Sequence, residues 1–553
     1  MSKLGNNILN AVHLLPIKSK HPLALILAVW LIYLAMFGLL QILDTRVGFE
    51  IWPIGEDRNW IYLLKSGNPV QTFQEFWALD HRNPMAALWW ILASPIIKLS
   101  DWGLHAIAQI VSPIVACITF VTLDRLGHKK HRLFSLMTGL VVLLWNFPAR
   151  HDHVDRVMVI ALAFTLLSIY FYTKFIDNQR VKRSTLAIAI ACYLIALSTY
   201  TIQSGAIIAV VFIAFFRTPG PIKNRLKYTT LDSALFFSAF AIYTAIWIYF
   251  AGSNSGFKIG LAELMSNAII SIKAFIYPPS VGQFLGLANA EFPSGQRAYW
   301  YTVAGIFSAI TVYGSTLASR QQALFPPIGW VLVLLISIGT PTIFVEAGNP
   351  TWGPGSRSIM VQQVWQPLFL VCLIFIVATI IRPQTVRTAV VTTVLWALCT
   401  KIIFVAFAFN HSQTIITLYQ RNLGVALRTL DEGQTKQVNY IIKVVNPVSP
   451  KVGSEPTLPS YAATVIGREK TFLRVLMKSP SPLPSYDSVW RVGFGKDGVT
   501  NGAAFFDRTV TPYENVKVVE FNGVNLVVPP ELDKDDFEGF QVDWWLDGKI
   551  NQQ

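Results

Sequence analysis

Residues 186–216 read LAIAIACYLIALSTYTIQSGAIIAVVFIAFF, an apolar run that follows Lys182 and Arg183 and ends before Arg217. A helix that crosses the hydrocarbon core needs about 20 mostly apolar residues, so this run is too long for one span. Ser204 and Gly205 lie near its middle and favour a break into two helices joined by a short connection. The run therefore predicts a tight helical hairpin within a membrane.

The composition of the whole chain agrees with a membrane protein. Of its 553 residues, 53% are hydrophobic and 14% are charged, and the mean hydropathy is +0.46. Soluble domains carry about 25% charged residues, so a soluble enzyme, a disordered protein and a disulfide-stapled secreted module are excluded. The cysteines lie in apolar runs without metal-ligand spacing and are predicted to be buried as small apolar residues; they are Cys117, Cys192, Cys372 and Cys399.

Apolar runs of this kind recur through residues 1–410, where we predict about eleven transmembrane helices. Residues 1–21 lack the short apolar run and cleavage site of a secretory signal, so the first span is expected to be retained. The predicted spans lie near 22–43, 104–123, 133–148, 157–173, 185–200, 203–216, 229–250, 300–319, 326–345, 360–380 and 388–408.

The net charge of +14 is explained by basic segments between these spans and not by a nucleic-acid partner. Segments 124–132, 174–183 and 217–227 carry four Lys or Arg each. Short basic loops are retained on the cytoplasmic side of a membrane. We therefore predict a cytoplasmic N-terminus and, because the number of spans is odd, an external C-terminal region.

The first external segment, 44–103, contains a second apolar stretch at 84–98. If it were a span, the basic segment 128–132 would lie outside and every later loop would be inverted. We therefore predict interfacial helices in this segment, with Trp89 and Trp90 at the depth of the lipid headgroups.

After residue 410 the composition becomes polar. Residues 411–442 are predicted to be helical, and 516–521 and 524–529 to be strands separated by turns. The chain is thus predicted to be an all-α polytopic membrane domain, 1–410, followed by a small α+β domain, 411–553, on the periplasmic side.

Ionisable residues concentrate in the predicted external segments. The first segment contains GEDRN at 55–59 and DHRNP at 80–84, and the second external turn contains PARHDHVDR at 148–156. Such groups near a bilayer are costly and tend to mark function, although a solvated and partly salt-bridged loop is the simpler alternative. Carboxylates can act as a general base, and arginine binds phosphate bidentately. Together they suit attack of a hydroxyl on a phosphate-linked group of a lipid carrier.

This layout resembles the GT-C superfamily of integral-membrane glycosyltransferases, which take a sugar from a polyprenyl-phosphate carrier on the outer face. The stretch 80–90, DHRNPMAALWW, resembles a loop of the aminoarabinose and mannosyl transferases, although His81-Arg-Asn-Pro84 replaces their usual His-x-Pro-Pro. Ser198-Thr-Tyr-Thr-Ile-Gln203 and the helix at 412–442 resemble serotype-converting O-antigen glucosyltransferases, although two residues separate Tyr200 from Gln203.

The resemblance implies roles for individual residues. Asp57, or the adjacent Glu56, matches the acidic base of the first external loop, while the alternative for Asp57 is an N-cap. Asp152 or Asp155 matches a second external acid. The candidate donor-phosphate ligands are all arginines of predicted external segments, and the alternative for each is a headgroup contact or a salt bridge. They are Arg58, Arg82, Arg150, Arg156, Arg297 and Arg357. The candidates for sugar or acceptor binding are His81, Tyr200, Gln203 and Tyr277. The alternative for Tyr200 and Gln203 is a polar pair that closes the helical hairpin, and the alternative for Tyr277 is a turn.

The predicted function is inverting transfer of a sugar, a hexose such as glucose, to an O-antigen or other cell-envelope glycan at a bacterial inner membrane. The donor would be a polyprenyl-phosphate sugar, and no cofactor is implied, although a divalent metal held by Asp57, Asp152 and Asp155 stays open. One alternative is an O-antigen ligase or polymerase. Another is a transporter or flippase, which typically carries ionisable residues near mid-membrane and a repeat between halves; the sequence indicates neither.

Overall fold

The computed structural model describes most of the first 431 residues and short segments beyond them. The described residues are 22–45, 70, 73–74, 84–99, 101–145, 154–200, 204–251, 265, 294–318, 326–345, 359–431, 439–444, 473–477, 493–495, 497–500, 510–521 and 526–527.

Helices dominate the described part of the chain up to residue 431. They are α1 (Pro22–Thr45), α2 (Pro84–Leu99), α3 (Asp101–Leu126), α4 (Arg132–Trp145), α5 (Val154–Asp177), α6 (Arg183–Thr199), α7 (Ala206–Arg217), α8 (Ile222–Ala251), α9 (Ser294–Ala318), α10 (Ile328–Val345), α11 (Ile359–Ala378) and α12 (Gln384–Asp431). Each predicted span coincides with one of these helices, apart from a few residues at the ends, some of which are not described. The four cysteines are free and buried, as predicted.

Three described helical segments are long and apolar enough to cross a membrane: Val159–Asp177, Ile222–Tyr249 and Gln384–Ala408. Shorter apolar segments lie in α1, α2, α4, α6, α7, α10 and α11. The chain is therefore a mostly helical integral membrane protein. The number of spans stays a prediction.

The apolar run at 186–216 is broken where Ser204 and Gly205 predict it. Helix α6 ends at Thr199, a 3-10 turn occupies 204–205, and α7 begins at Ala206. The Tyr193 hydroxyl donates a hydrogen bond to the Ser204 carbonyl at 3.1 Å, which ties the break back to α6. However, α7 packs mainly against α5, α8 and α10, whereas α6 packs against α5 and α8. The predicted break is confirmed, but the two helices do not form the tight hairpin that the run suggested.

Two helix C-termini end in turns of the same geometry. His128 and Lys129 after α3 have φ of 52° and 63°, and Gln179 and Arg180 after α5 have φ of 53° and 62°. The Lys129 N–H donates to the Asp124 carbonyl at 2.7 Å, and the Arg180 N–H donates to the Phe175 carbonyl at 3.0 Å. This is the Schellman arrangement, which normally uses glycine at the left-handed position. It reverses the chain within a few residues and brings successive helices side by side.

Arg217 at the end of α7 joins three helix ends. Its guanidinium donates to the Asp177 carboxylate at 2.8 Å and to the backbone carbonyls of Arg125, at 3.1 Å, and Leu126. Arg125 pairs with the same carboxylate at 3.0 Å. The Arg217 side chain is only 3% exposed, and burial lowers its pKa while Asp177 counteracts that effect. The guanidinium also lies 5.0 Å from the Trp330 ring centroid, which adds α10 to the contact.

A second group of buried polar side chains continues this arrangement. Arg180 donates to the Asp232 carboxylate at 3.1 Å and to the Thr218 hydroxyl at 2.8 Å. The Tyr172 hydroxyl donates to the same Asp232 oxygen at 2.7 Å. We call the side chains of Arg125, Asp177, Arg180, Arg217 and Asp232 the ionic cluster. Because its members come from 124–132, 174–183, 217–227 and the adjoining α8, the three basic segments meet at one end of the bundle.

Helices α9 to α12 also run alternately towards and away from the ionic cluster. Phe134 at the start of α4 packs edge-on against Phe375 near the end of α11, with centroids 5.4 Å apart. The Thr316 and Thr392 hydroxyls, near the end of α9 and the start of α12, are 3.3 Å apart. Because α4 begins beside the ionic cluster, the end of α11 and the nearby start of α12 lie towards that cluster. The contact of the two threonines places the end of α9 there as well.

Helix α2, in the first predicted external segment, packs on this bundle through Trp89. The indole Nε1 donates to the Thr199 hydroxyl at 3.1 Å, and the ring stacks on Phe164 with centroids 5.9 Å apart. Its 16 residues rise about 24 Å, less than the roughly 30 Å of a hydrocarbon core. The interfacial orientation of α2 and the headgroup depth of Trp90 stay predictions.

Beyond α12 the described residues are mostly strands, with one 3-10 helix at Tyr513–Asn515. These are β1 (Asn439–Val444), β2 (Leu473–Met477), β3 (Gly493–Gly495), β4 (Gly498–Thr500), β5 (Val510–Thr511), β6 (Val516–Phe521) and β7 (Leu526–Val527). One sheet has the order β2-β1-β6-β7, with β1 parallel to β2 and β6, and β6 antiparallel to β7. The other is antiparallel, β3-β4-β5.

The helix predicted at 411–442 is wrong at its end. Helix α12 stops at Asp431, and residues 439–442 belong to β1, which pairs on both sides. Tyr440, Ile441 and Ile442 are good strand formers, so sheet pairing prevails over the helical spacing of apolar residues. The strand predicted at 516–521 is confirmed, and β7 lies within the strand predicted at 524–529.

Contacts divide the chain into two compact units. The first takes the described parts of 1–47, 76–93 and 104–411, and the second those of 48–75, 94–103 and 412–553. The domain boundary at residue 410 and the α+β character of residues 411–553 stay predictions.

Arg217→Met should lower the stability of the first unit. The change removes a buried partner of Asp177 and leaves two carbonyls at the end of α3 without their donor, a loss of about 3 kcal/mol. Thermal unfolding of the purified protein in detergent measures it. Arg225→Met is the matched control, because the half-buried Arg225 side chain bonds only the Gly220 carbonyl within its own turn. Equal unfolding temperatures for the two variants would contradict the role of Arg217.

Lys129→Gly should stabilise the protein by about 1 kcal/mol, because glycine adopts the left-handed conformation without steric cost. The neighbouring Lys130 provides the control, since the same change there relieves no left-handed residue and only increases the freedom of the unfolded chain. The difference in unfolding temperature between these two variants is the readout. A lower unfolding temperature for Lys129→Gly than for Lys130→Gly would contradict the prediction.

Trp89→Phe should loosen α2 from α5 and α6, because phenylalanine keeps part of the ring contact but cannot donate to Thr199. Hydrogen exchange in residues 84–99 should increase. Thr199→Val removes the same hydrogen bond from the other side and should give a similar increase. If only one variant had an effect, the hydrogen bond would not be its cause.

Candidate functional site at the distal end of the bundle

The helix directions define an end of the bundle opposite the ionic cluster. Helix α5 ends at Asp177 in the cluster, so its first residue, Val154, lies at the opposite end. Helix α6 runs the other way and ends there at Thr199, and α9 begins there at Ser294. We call this the distal end. Four predicted site residues share it: Asp155, Arg156, Tyr200 and Arg297.

Asp155 and Arg156 lie in the first turn of α5. A carboxylate at this position is favoured by the helix dipole, and unpaired backbone N–H groups in a first turn attract anions. The position therefore suits both an acidic residue and a phosphate ligand. The side chains of both residues lie outside the described part of the structure, so their roles stay predictions.

Tyr200 directly follows α6 in extended backbone, with φ −159° and ψ 116°, and its N–H donates to the Ala196 carbonyl at 2.9 Å. The side chain is 6% exposed and belongs to the hydrophobic core. It is adjacent to Thr199, the residue that accepts the Trp89 hydrogen bond. The buried position favours a structural role at the end of α6, and sugar binding by Tyr200 stays a prediction.

Arg297 is half-buried in the first turn of α9, where aromatic residues follow it. Trp300 is buried against Phe407 of α12, with centroids 5.2 Å apart. Tyr299 and Tyr301 are exposed. An arginine beside exposed tyrosines is suited to binding a phosphate or a sugar at a membrane interface, because these side chains combine apolar bodies with hydrogen-bond donors.

The other predicted site residues lie outside the described residues, so their positions stay predictions, as does the alternative N-cap role of Asp57. These residues are Glu56, Asp57, Arg58, His81, Arg82, Arg150, Asp152, Gln203, Tyr277 and Arg357. Within the described part of the chain, no group of three or more His, Cys, Asp or Glu side chains is arranged to hold a metal. Because Asp57 and Asp152 lie outside that part, the metal question stays open.

Two ionisable residues inside predicted spans were missed. Asp232 lies in the span predicted at 229–250 but is neutralised by Arg180 near one end. Lys401 lies in the span predicted at 388–408, is half-buried, and has its Nζ 5.7 Å from the centroid of the Phe404 ring. Lys401 is thus an ionisable residue within a predicted span, which the sequence analysis did not single out. The signal was a single charged residue in an otherwise apolar window.

No protein-family model matches the chain, and no curated protein matches its sequence. Two solved structures are similar to it. One is an oligosaccharyltransferase from Archaeoglobus fulgidus in the apo form, with a TM-score of 0.38 and 11% identity over 86% of this chain. This chain spans 66% of that protein's length, slightly less than two thirds. The other is ArnT from Cupriavidus metallidurans bound to undecaprenyl phosphate, with a TM-score of 0.34 and 14% identity over 82% of this chain and 86% of ArnT. At these scores the similarities do not assign the chain to a family.

Proposed function

We propose that the protein is a GT-C-type glycosyltransferase. It moves a sugar, such as a glucose, from a polyprenyl-phosphate carrier to an O-antigen or another cell-envelope glycan. One observation carries this proposal: the described candidate residues Asp155, Arg156, Tyr200 and Arg297 share the distal end, whereas the basic segments meet at the other end. The chemistry is thereby separated from the charges that orient the protein in the membrane.

The basic end corresponds to the cytoplasmic side, because short basic loops are retained there. The distal end would then face the periplasm. A carrier lipid in the outer leaflet can present its phosphate at this level, and a glycan acceptor can approach from the aqueous side. In this proposal, donor and acceptor meet on the same side of a bacterial inner membrane.

In the proposed mechanism, Asp57 removes the proton from an acceptor hydroxyl. The oxygen attacks the anomeric carbon as the bond from that carbon to the carrier phosphate breaks, so a single displacement inverts the configuration. The pKa of an unperturbed Asp is about 3.9, so the base is ionised at neutral pH. Arginines of the external segments stabilise the departing phosphate, which needs cationic neighbours more than a proton.

A lipid-linked transporter or flippase is the second candidate, and Lys401 favours it. An ionisable residue within a span typically marks a substrate or ion pathway. Such a protein would move a lipid phosphate between leaflets without breaking the bond to the sugar. Consumption of the donor separates the two functions.

Asp57→Asn should abolish sugar transfer while the protein still expresses and folds, because asparagine keeps the size of the side chain but cannot accept the proton. The measurement is transfer from a panel of polyprenyl-phosphate sugars to lipid-linked glycan by the purified protein. Glu56→Gln is the matched control for the adjacent carboxylate, and EDTA tests for a metal.

Different outcomes select different functions. Near-normal transfer by Asp57→Asn together with inactive Glu56→Gln would move the base to Glu56. Consumption of a lipid-linked oligosaccharide instead of a monosaccharide donor would favour the ligase or polymerase. Movement of labelled lipid between leaflets without donor consumption would favour the flippase.

A further inference from the structure

Lys401 is a cation within an apolar helix near the distal end. It lies seven residues before Ala408, where the predicted span ends, which corresponds to about 10 Å along the helix. One turn further along α12, Phe404 packs on Tyr301 of α9 with centroids 4.9 Å apart. Since α9 begins at the distal end, this contact places Lys401 in the half of the membrane nearer to that end.

The structure gives Lys401 little electrostatic compensation. Its Nζ lies over the Phe404 ring, and no carboxylate of the described residues lies within ion-pairing distance. Asp232, the other charged residue within a predicted span, has an arginine and a tyrosine hydroxyl as partners. A half-buried ammonium group without a counter-ion is costly, and a single aromatic ring offsets only part of that cost. An anionic partner would remove the remainder.

The surroundings of Lys401 indicate where such a partner would bind. The Trp396 indole donates to the Gly305 carbonyl at 2.8 Å and, with the contact of Tyr301 and Phe404, fixes α9 beside α12. Tyr301 is 46% exposed, so this seam reaches the surface of the described bundle. Arg297 lies four residues before Tyr301 and hence on the same helix face. The α9–α12 seam therefore carries an ammonium group, a guanidinium and a phenol.

We infer that Lys401 binds the phosphate group of a membrane lipid at the α9–α12 seam. Ammonium and guanidinium groups donate charge-assisted hydrogen bonds to phosphate, and a tyrosine hydroxyl donates one more. The lipid tail would lie along the apolar surface of the two helices. Where that lipid is the polyprenyl-phosphate donor, the inference rests on the proposed function and assigns Lys401 as a further phosphate ligand on the entry path of the carrier. A phospholipid headgroup presents the same chemistry.

The test measures binding without sugar transfer. Full-length protein in detergent is titrated with polyprenyl phosphate, with polyprenol, or with phosphatidylglycerol, and bound lipid is counted by native mass spectrometry. Lys401→Met keeps the length of the side chain and removes its charge, and Lys401→Arg keeps the charge. Lys223→Met, at an exposed lysine near the start of α8, is the matched control.

Lys401→Met should bind polyprenyl phosphate about tenfold more weakly, the effect of one lost charge-assisted hydrogen bond. Lys401→Arg and Lys223→Met should bind like the wild type, and polyprenol should bind equally weakly to every variant. A loss confined to polyprenyl phosphate identifies the carrier as the ligand, whereas an equal loss for phosphatidylglycerol identifies a headgroup. Unchanged binding of both lipids to Lys401→Met overturns the inference.

Folding is controlled separately. Removal of an uncompensated charge should leave the unfolding temperature of Lys401→Met unchanged or raise it. If that variant does not fold, Tyr301→Phe provides a second measurement, and wild-type binding of both phosphate lipids by Tyr301→Phe then overturns the inference. Because no sugar is transferred, failure of the proposed function leaves the result interpretable: a protein without transferase activity can still lose lipid phosphate binding through Lys401.

Discussion

The buried guanidinium of Arg217 is the interaction on which the order of the helices depends. It bonds the Asp177 carboxylate and two backbone carbonyls at the end of α3, and it lies over Trp330. A helix end directs unpaired carbonyls outwards, and a buried end needs a donor. One side chain satisfies that requirement and neutralises a carboxylate of a second helix. The ends of α3, α5 and α7 are thereby fixed at a common level.

Because these helix ends lie at a common level, the bundle has one basic end and one distal end. Once the ends of α3, α5 and α7 are joined, the first turn of α5 with Asp155 and Arg156 lies at the opposite end of the bundle. The directions of α6 and α9 bring Tyr200 and Arg297 to that end as well. The basic residues on which the predicted orientation rests also hold the bundle together, because Arg125, Arg180 and Arg217 each pair with a carboxylate. The residues that predict the orientation are therefore also packing residues of the bundle.

Much of the helical architecture could be predicted, because apolar length and flanking charge report directly on a bilayer. The break at Ser204 and Gly205 was predictable from residue type alone, whereas the packing partners of α7 were not, since they depend on contacts distant in sequence. The strand at 439–442 was mistaken for helix because apolar spacing over a few residues fits both periods. The candidate site was predicted from clustered charge in loops, and that approach could not find Lys401, an isolated charge in an apolar run. The partners of Asp232 were equally hidden, because Tyr172 and Arg180 lie more than 50 residues away.

Asp232 and Lys401 show how a charge within a span can be interpreted. A structural charge is kept because the fold supplies its counter-ion, and Asp232 has both a guanidinium and a phenolic hydroxyl within hydrogen-bonding distance. Lys401 lacks a described carboxylate and has an aromatic ring in its place. An apolar residue at this position would avoid the cost of burying a charge, which agrees with the inference that Lys401 binds an anionic group of a lipid. The lipid phosphate that the inference assigns to Lys401 is also the group that a polyprenyl-phosphate carrier would bring to the distal end.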